Sequence, residues 1–288
     1  MEIRSSHVQR SSNWSGTTAV EVNNEFDLPF VRSIHPNVKA GHLGKMDGKR
    51  CMLTLEVSDS ISTDLQIQII ERVGQYLSFL IAKDEVNVAL GTQFLDAIVD
   101  EITVRPGPAV SGHLSILASR PFSPTKDDFS SVYYSDLLEF FYDGLRANSS
   151  KAQFFHWFLI LESLEHTKRY EVLFKRDKLF TQQEKAVLKT FSVTLSEVKK
   201  AAVLQCLGRT AKSRETKLHL LLADIGVKEY KYALTNRIVD EALIATFIAA
   251  RNRLFHFSED ISQDLVVTLF AITQQVVHLA VRDPALFA

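Results

Sequence analysis

One segment limits the possible folds more than any other: residues 152–169 carry apolar side chains around nearly the whole circumference of a helix. The apolar positions are Phe154, Phe155, Trp157, Phe158, Leu159, Ile160, Leu161 and Leu164. Such a helix cannot lie at a surface, because water would reach much of its apolar circumference. The segment therefore predicts the central helix of a bundle. Its densest apolar run covers about eight residues, whereas a membrane helix needs roughly 20, so no membrane partner is expected.

Helical spacing continues on both sides of this segment, from about residue 132 to residue 288. The predicted helices are 133–148, 152–169, 182–204, 216–224, 236–255 and 263–281. No strong strand pattern interrupts them. Residues 132–288 therefore predict an all-α helical bundle.

Residues 1–120 have a different pattern and predict a mixed α/β domain. Runs that alternate or are short and apolar predict strands at 51–57, 86–90, 97–104 and 113–118. One stretch, 64–83, has helical spacing, with Ser62, Thr63 or Asp64 as the candidate cap. The predicted fold class is thus an α+β N-terminal domain followed by an all-α bundle. The proline-, serine- and charge-rich stretch 121–131 is the predicted linker between them.

The charge is balanced in total but unevenly distributed. The chain has 33 Lys and Arg against 34 Asp and Glu, which excludes a uniformly basic binder of nucleic acid. Residues 165–237, however, contain 16 basic and 8 acidic residues, a net charge of +8, which leaves −9 for the rest of the chain. This basic stretch, with Lys212, Arg214 and Lys217 near its middle, fits either a surface for a phosphate backbone or solvated helix faces.

The cysteines and the N-terminus indicate the compartment. Cys51 and Cys206 are too few for a disulfide framework or for a zinc site built on cysteine pairs. The first 16 residues are polar and lack the apolar core of a signal peptide. Both observations predict a cytoplasmic protein.

The chemical motif lies at the end of the predicted helix 236–255. Arg251 is followed directly by Asn252 and, five positions after the arginine, by His256. An Arg-x4–6-His pattern with a polar residue after the arginine, in a late helix of a bundle, resembles the HEPN superfamily. The pattern alone also occurs at Arg214 and His219. The later match is favoured because it has the asparagine, lies at a helix end and follows small residues at Ala245, Ala249 and Ala250.

The resemblance covers residues 132–288 and implies a function. Many HEPN proteins are metal-independent ribonucleases of toxin–antitoxin, CRISPR-linked and antiphage systems. The implied reaction on single-stranded RNA is attack of a ribose 2′-OH on the adjacent phosphate, which leaves a 2′,3′-cyclic phosphate. His256 would then be the general base or acid, Arg251 would neutralise the transition state, and Asn252 would orient phosphate or histidine. No cofactor and no metal are implied.

The resemblance also implies partners. For an RNA partner, the charge distribution makes Lys212, Arg214 and Lys217 of the basic stretch, together with Arg253, the expected contacts. HEPN nucleases usually dimerise, so a homodimer or a higher homo-oligomer is expected, together with an antitoxin or other regulatory partner. The N-terminal domain would sense a trigger, restrain the nuclease or bind that partner.

Helix geometry restricts how the motif can act. Asn252 and His256 are four residues apart and share one face of a helix. Arg251 and His256 are five apart, which separates them by about 140° around the axis. They converge only if the helix loosens before His256 or if a second chain completes the site.

The remaining polar residues leave alternatives open. Glu162 and Glu165, on the apolar helix, are expected to support the site as ion-pair partners of Arg251 or Arg253. A metal held by Glu162 and His166 is less favoured, and His256 could be a plain helix-terminal histidine. The competing functions are a non-catalytic HEPN scaffold that binds RNA or protein, and an unrelated helical protein in which the motif arose by chance.

Overall fold

The apolar segment lies at the centre of the structure, which is a computed structural model. The structure describes residues 3–6, 18–19, 26–27, 29–45, 50–57, 62–82, 101–104, 109–115, 117–118, 126–232, 235–257 and 260–287. Strands dominate the described residues before about 120 and helices dominate after it. An α+β region followed by a mostly helical region is therefore confirmed.

The elements are numbered in chain order. The helices are α1 (Val31–Ile34), α2 (Thr63–Ala82), α3 (Lys126–Phe129), α4 (Leu137–Arg146), α5 (Ser150–Leu164), α6 (Lys168–Phe174), α7 (Gln182–Ser192), α8 (Glu197–Cys206), α9 (Arg214–Asp224), α10 (Glu241–Phe257) and α11 (Gln263–Arg282). The strands are β1 (Ile3–Ser6), β2 (Thr18–Ala19), β3 (Phe26–Asp27), β4 (Val38–Lys45), β5 (Arg50–Val57), β6 (Glu101–Val104), β7 (Ala109–Ser115), β8 (Leu117–Ala118), β9 (Glu229–Tyr232) and β10 (Thr235–Ile238).

The N-terminal strands form an antiparallel sheet in the order β3-β4-β5-β7, with β1 paired to β6 and β2 to β8. The strand predicted at 51–57 is β5, whose backbone pairs with β4 and β7 on its two sides. The strand predicted at 97–104 is observed over 101–104, and the one at 113–118 is divided between β7 and β8. The strand predicted at 86–90 lies outside the described residues.

Several features of the helical region differ from the sequence prediction. The predicted helix 152–169 ends at Leu164, a further helix α6 follows it, and the predicted helix 133–148 starts at Leu137. The predicted helix 182–204 is two helices, because Ser196 adopts an extended backbone at the N-cap of α8. A short hairpin, β9–β10, precedes α10, and the buried Tyr230 fixes it to the core. The helix predicted from residue 236 starts instead at Glu241, where the Asp240 side chain accepts a hydrogen bond from the Leu243 amide at 2.8 Å.

The core runs across the domain boundary predicted near residue 120. Helix α2 packs on α4, with the rings of Phe79 and Phe141 edge to face at 5.5 Å. The Gln274 side chain on α11 donates a hydrogen bond to the carbonyl of Ala82 at 2.7 Å, which closes the end of α2. Within the predicted linker, residues 126–129 form a helical turn and Phe129 is buried. Helix α2 therefore shares one hydrophobic core with the bundle.

Helix α11 lies beside α5 in this core. By length and composition it is the one helix among the described residues that could cross a membrane, yet most of it is buried inside the protein. Phe270 of α11 stacks on Phe141 at 5.5 Å and lies 4.9 Å from Trp157 of α5. Its apolar composition is accounted for by these contacts, as in a core helix.

Candidate active site

Helix α10 carries the motif and remains helical through it. Its inner face buries Ile244, Phe247 and Ala250 against the bundle. The helix continues to Phe257, so it does not loosen before His256. The side chains of Arg251 and His256 therefore diverge by about 140° around one straight helix. Of the two ways to bring them together, loosening of the helix before His256 is not observed.

Arg251 points from α10 toward α5, where an acid holds it. Its Nη2 atom lies 3.2 Å from Oε1 of Glu162. Its guanidinium covers the ring of Phe255, one turn later on α10, at 4.4 Å from the ring centre. Its Nε atom is buried and has no hydrogen-bond partner among the described residues. The side chain is 30% exposed, so Arg251 is oriented by the protein but not enclosed by it.

The acid that holds Arg251 is shared with a second arginine. Oε1 of Glu162 also accepts a hydrogen bond from Nη2 of Arg214 at 3.0 Å. Arg214 in turn makes a two-pronged contact with Glu165, each N···O distance being 2.8 Å. Hydrogen bonds to Glu165, and then those to Glu162, hold the pKa of Arg214 above its ordinary value despite partial burial. Helices α5, α9 and α10 are thus joined by two arginines and two glutamates; we call these four residues the charged cluster.

Asn252, Arg253 and His256 lie outside the charged cluster. All three are exposed on α10, and Asn252 and His256 share the same face, as predicted. The structure therefore brings Arg251 to Glu162 directly and to Glu165 through Arg214, and Arg251 Nη1 also donates a hydrogen bond to Oδ1 of Asn252 at 3.5 Å. It does not bring His256 to Arg251 within one chain.

Two of the predicted RNA contacts are engaged inside the protein. The Lys217 side chain is only 8% exposed, and its Nζ atom lies 3.1 Å from a carboxylate oxygen of Asp177. Arg214 faces the two glutamates of the charged cluster. The basic stretch thus includes cations that neutralise buried acids, which a charge count cannot distinguish from surface cations. Lys212 and Arg253 are exposed, although the Lys212 amide donates a hydrogen bond to Asp177 at 3.1 Å.

The Asp177→Asn variant is expected to lose about 3 kcal/mol of stability at pH 7, because Lys217 would keep a buried charge without its counter-ion. Burial raises the pKa of Asp177, but hydrogen bonds and charges from Lys217 and Lys212 outweigh burial and hold the pKa below its ordinary value. The stabilisation that ionised Asp177 contributes is therefore complete above a pH of about 4 and is lost as the pH falls through the lower pKa of Asp177 in the folded protein. Urea unfolding at pH 7 and between pH 2 and pH 5 measures both effects.

The control for this variant is Asp224→Asn, whose carboxylate pairs with Arg169 at a distance of 2.6 Å in a partly exposed position. Its expected loss is below about 1 kcal/mol, since exposed pairs contribute little. Equal stabilities of the two variants at pH 7 would contradict the assignment of Lys217 to a buried pair.

Two residues of this region were not identified from the sequence. Asp177 lies in the run Lys175-Arg176-Asp177-Lys178, which is typical of a solvated loop, and no sequence signal marks its burial. Phe255 stands four positions after Arg251, a spacing that places both on one face of a helix. That spacing was a usable signal for the observed contact.

A metal site at Glu162 and His166 finds no support in the geometry. Glu162 is occupied by two guanidinium groups, and no group of three or more His, Cys, Asp or Glu side chains that could hold a metal is present in the described parts of the chain. Comparison of the chain with protein-family models, with curated proteins and with solved structures finds no match.

Proposed function

We propose that this protein is a metal-independent endoribonuclease of the HEPN type that cleaves single-stranded RNA as a homodimer. The observation that carries the proposal is the state of Arg251. It is fixed in direction by Glu162, remains partly open to solvent and precedes an exposed Asn252–His256 pair on the same helix. An oriented arginine and an exposed histidine are the two groups that general acid–base cleavage of RNA needs, and the proposed second chain would bring them together.

The proposed chemistry uses the substrate's own nucleophile. His256 takes the proton from a ribose 2′-OH, and the oxygen attacks the adjacent phosphorus while the P–O5′ bond breaks. The leaving 5′ oxygen takes a proton from water, and protonated His256 returns its proton to the solvent, which gives a 5′-OH end and a 2′,3′-cyclic phosphate. Arg251 faces the additional negative charge that the phosphorane-like transition state develops, and its planar fork suits two phosphate oxygens.

The proposed dimer follows from the exposed face of α10. Ala249, Asn252 and His256 lie along one side of this helix, and Ala245 on the same side is half-buried. Small side chains at Ala245 and Ala249 allow another helix to approach closely. A second copy of α10 packed on this face would place the His256 side chains of both chains at the interface, and the proposal requires the long side chain of Arg251, about 140° around the helix, to reach across the edge of that interface.

The biological setting follows from the same resemblance and is likewise a proposal. An RNA-cleaving bundle joined to an α+β region suits a toxin or antiphage effector, with the N-terminal region binding an antitoxin or another regulator in the cytoplasm. Because Lys217 and Arg214 are engaged internally, substrate binding falls to Arg253, Lys212 and other exposed cations of the basic stretch, such as Lys175 and Lys199.

The purified protein is expected to cleave single-stranded RNA in the presence of EDTA. The products should carry a 2′,3′-cyclic phosphate, detected because the 3′ ends resist phosphatase until acid opens the ring. An oligonucleotide with 2′-O-methyl riboses should not be cut, since it has no free nucleophile. Cleavage that requires a divalent metal, or that leaves 5′-phosphates, would contradict the proposal.

A second candidate is a non-catalytic HEPN scaffold that binds RNA or protein. It is favoured by the internal pairing of Arg214 and Lys217, which removes cations from the surface where a substrate would lie. The same assay separates the two functions, because a scaffold would bind the oligonucleotide and leave it intact.

A further inference from the structure

We propose that Arg214 is a positioning residue for Arg251 and not an RNA contact, and that it acts through the shared carboxylate of Glu162. The inference rests on the proposed function and adds a residue outside the Arg-x4–6-His motif to its machinery. It also separates the two arginines that share the bare sequence pattern: one would face the phosphate, and the other would hold the acid behind it.

The first step is the geometry of the shared oxygen. One atom, Oε1 of Glu162, lies 3.0 Å from Nη2 of Arg214 and 3.2 Å from Nη2 of Arg251. A carboxylate between two guanidinium groups is held from both sides, and its rotamer is no longer free. The direction of Arg251 therefore depends on where Arg214 places Glu162.

The second step is the rigidity of Arg214 itself. It is the first residue of α9, directly after the Ser213 N-cap, whose side chain accepts a hydrogen bond from the Thr216 amide at 3.1 Å. Its Nε and Nη2 atoms both bind Glu165 at 2.8 Å, and its guanidinium lies 5.7 Å from the ring centre of Phe158. A side chain fixed at its backbone, at two donor atoms and over a ring can act as an anchor.

The third step is electrostatic. Without Arg214, Arg251 would face two glutamates, and the remaining cluster would carry a net charge of −1. The cluster as a whole is neutral, with two arginines and two glutamates, so it can lie half-buried at low cost. Arg214 thereby balances the charge of Glu165, and Glu162 remains the acid that orients Arg251.

The variants that test this role are Arg214→Lys and Arg214→Met, each compared with the same substitution at Arg169. Arg169 is the matched control, because its side chain has the same 33% exposure as that of Arg214. Like Arg214, it pairs with a carboxylate of another helix, in this case that of Asp224 on α9. Lysine keeps the positive charge opposite both glutamates and so protects the fold, but it lacks the fork that reaches two carboxylates at once.

The expected result is a fall in kcat of about 10- to 100-fold in both Arg214 variants, which is the usual scale for a misplaced catalytic group. In Arg214→Lys, which keeps the net charge of the cluster, KM should change by less than about twofold, and both Arg169 variants should match the wild type. Binding of an uncleavable 2′-O-methyl oligonucleotide to Arg214→Lys should keep its affinity and its salt dependence. If Arg214 contacts a phosphate instead, Arg214→Lys will keep most of the wild-type kcat, while Arg214→Met will lose kcat, weaken that binding and lower the slope of log K against log salt by about 0.7. That outcome would overturn the inference.

A readout without catalysis separates this inference from the proposed function. In protein labelled with 15N-arginine, the Nε–Hε resonance of Arg251, identified by its loss in Arg251→Lys, should move in both Arg214 variants and stay in place in the Arg169 variants. An unmoved resonance overturns the positioning role even if RNA is cleaved. A wild type that does not cleave RNA overturns the proposed function, while the resonance still decides whether Arg214 positions Arg251.

Discussion

The His256→Ala variant is expected to cleave RNA about 100- to 10,000-fold more slowly than the wild type, which is the range for removal of a general acid or base. Its thermal unfolding should match that of the wild type, because His256 is exposed on the outer side of α10. Initial rates on a single-stranded oligonucleotide in EDTA, with calorimetry on the same samples, measure both quantities.

The matched control is His219→Ala, which removes the histidine of the other Arg-x4-His pattern. His219 lies in the middle of α9, and its loss should leave the rate within about threefold of the wild type, since ordinary half-buried substitutions act on stability more than on chemistry. If His256→Ala still cleaves RNA, the assignment of the motif is wrong. If only His219→Ala is inactive, the catalytic pair is the earlier one.

Mixing two inactive variants tests the proposed dimer. Arg251→Ala and His256→Ala should each be inactive alone, since each lacks one half of every site. Mixed, unfolded and refolded together, they should form some heterodimers with one complete site, made of the arginine of one chain and the histidine of the other. Recovery of about a quarter of the wild-type rate is expected for random assembly, in which half of the dimers are mixed and each has one of two sites. A mixture that stays inactive would contradict completion by a second chain.

How far the sequence predicted the fold depends on the type of signal. The central helix is predicted by the apolar segment because a helix that is apolar on all sides has few alternatives, and α5 is buried as expected, although it ends at Leu164 and not at residue 169. The break between α7 and α8 was missed because helical spacing continues through it, while Ser196 supplies only a weak N-cap signal. The contact of α2 with the bundle, which involves Phe79 and Phe141, joins residues 62 positions apart and leaves no local pattern.

The candidate site shows the same difference between local sequence patterns and contacts that join residues distant in sequence. The sequence predicts that Glu162 or Glu165 pairs with Arg251 or Arg253, and the observed pair of Arg251 with Glu162 is one of these combinations. The shared role of Glu162 was not expected, because Arg214 comes from a third helix and lies 52 residues away in sequence. Lys217 was assigned to RNA because its neighbours are basic. Its burial depends on Asp177, 40 positions earlier in the chain, and charge patterning carries no information at that distance.

The Gly144→Ala variant is expected to destabilise the protein by about 3 kcal/mol, because the helix pair that carries Glu162 has no space for one more carbon at this position. A Cβ atom on Gly144 would overlap Nε1 of Trp157 and lie 2.5 Å from its Cδ1. The indole cannot move away easily. It is fully buried, donates a hydrogen bond to the Phe141 carbonyl at 3.1 Å and packs against Phe270. Separation of α4 from α5, or loss of that hydrogen bond, is the expected response.

The control for this variant is Gly208→Ala, in the exposed turn after α8, where the nearest atom to a new Cβ is the Gln205 carbonyl oxygen at 3.7 Å. That distance is an ordinary van der Waals contact, so the free energy of unfolding should change by less than about 0.5 kcal/mol. Adding Trp157→Phe to Gly144→Ala should cost less than the sum of the two single changes, because the smaller ring leaves room for the methyl group. Strict additivity, or a Gly144→Ala variant as stable as Gly208→Ala, would show that α4 and α5 are not packed through this contact. Helix α5 would then lack the rigid support on which the position of Glu162, and through it that of Arg251, depends.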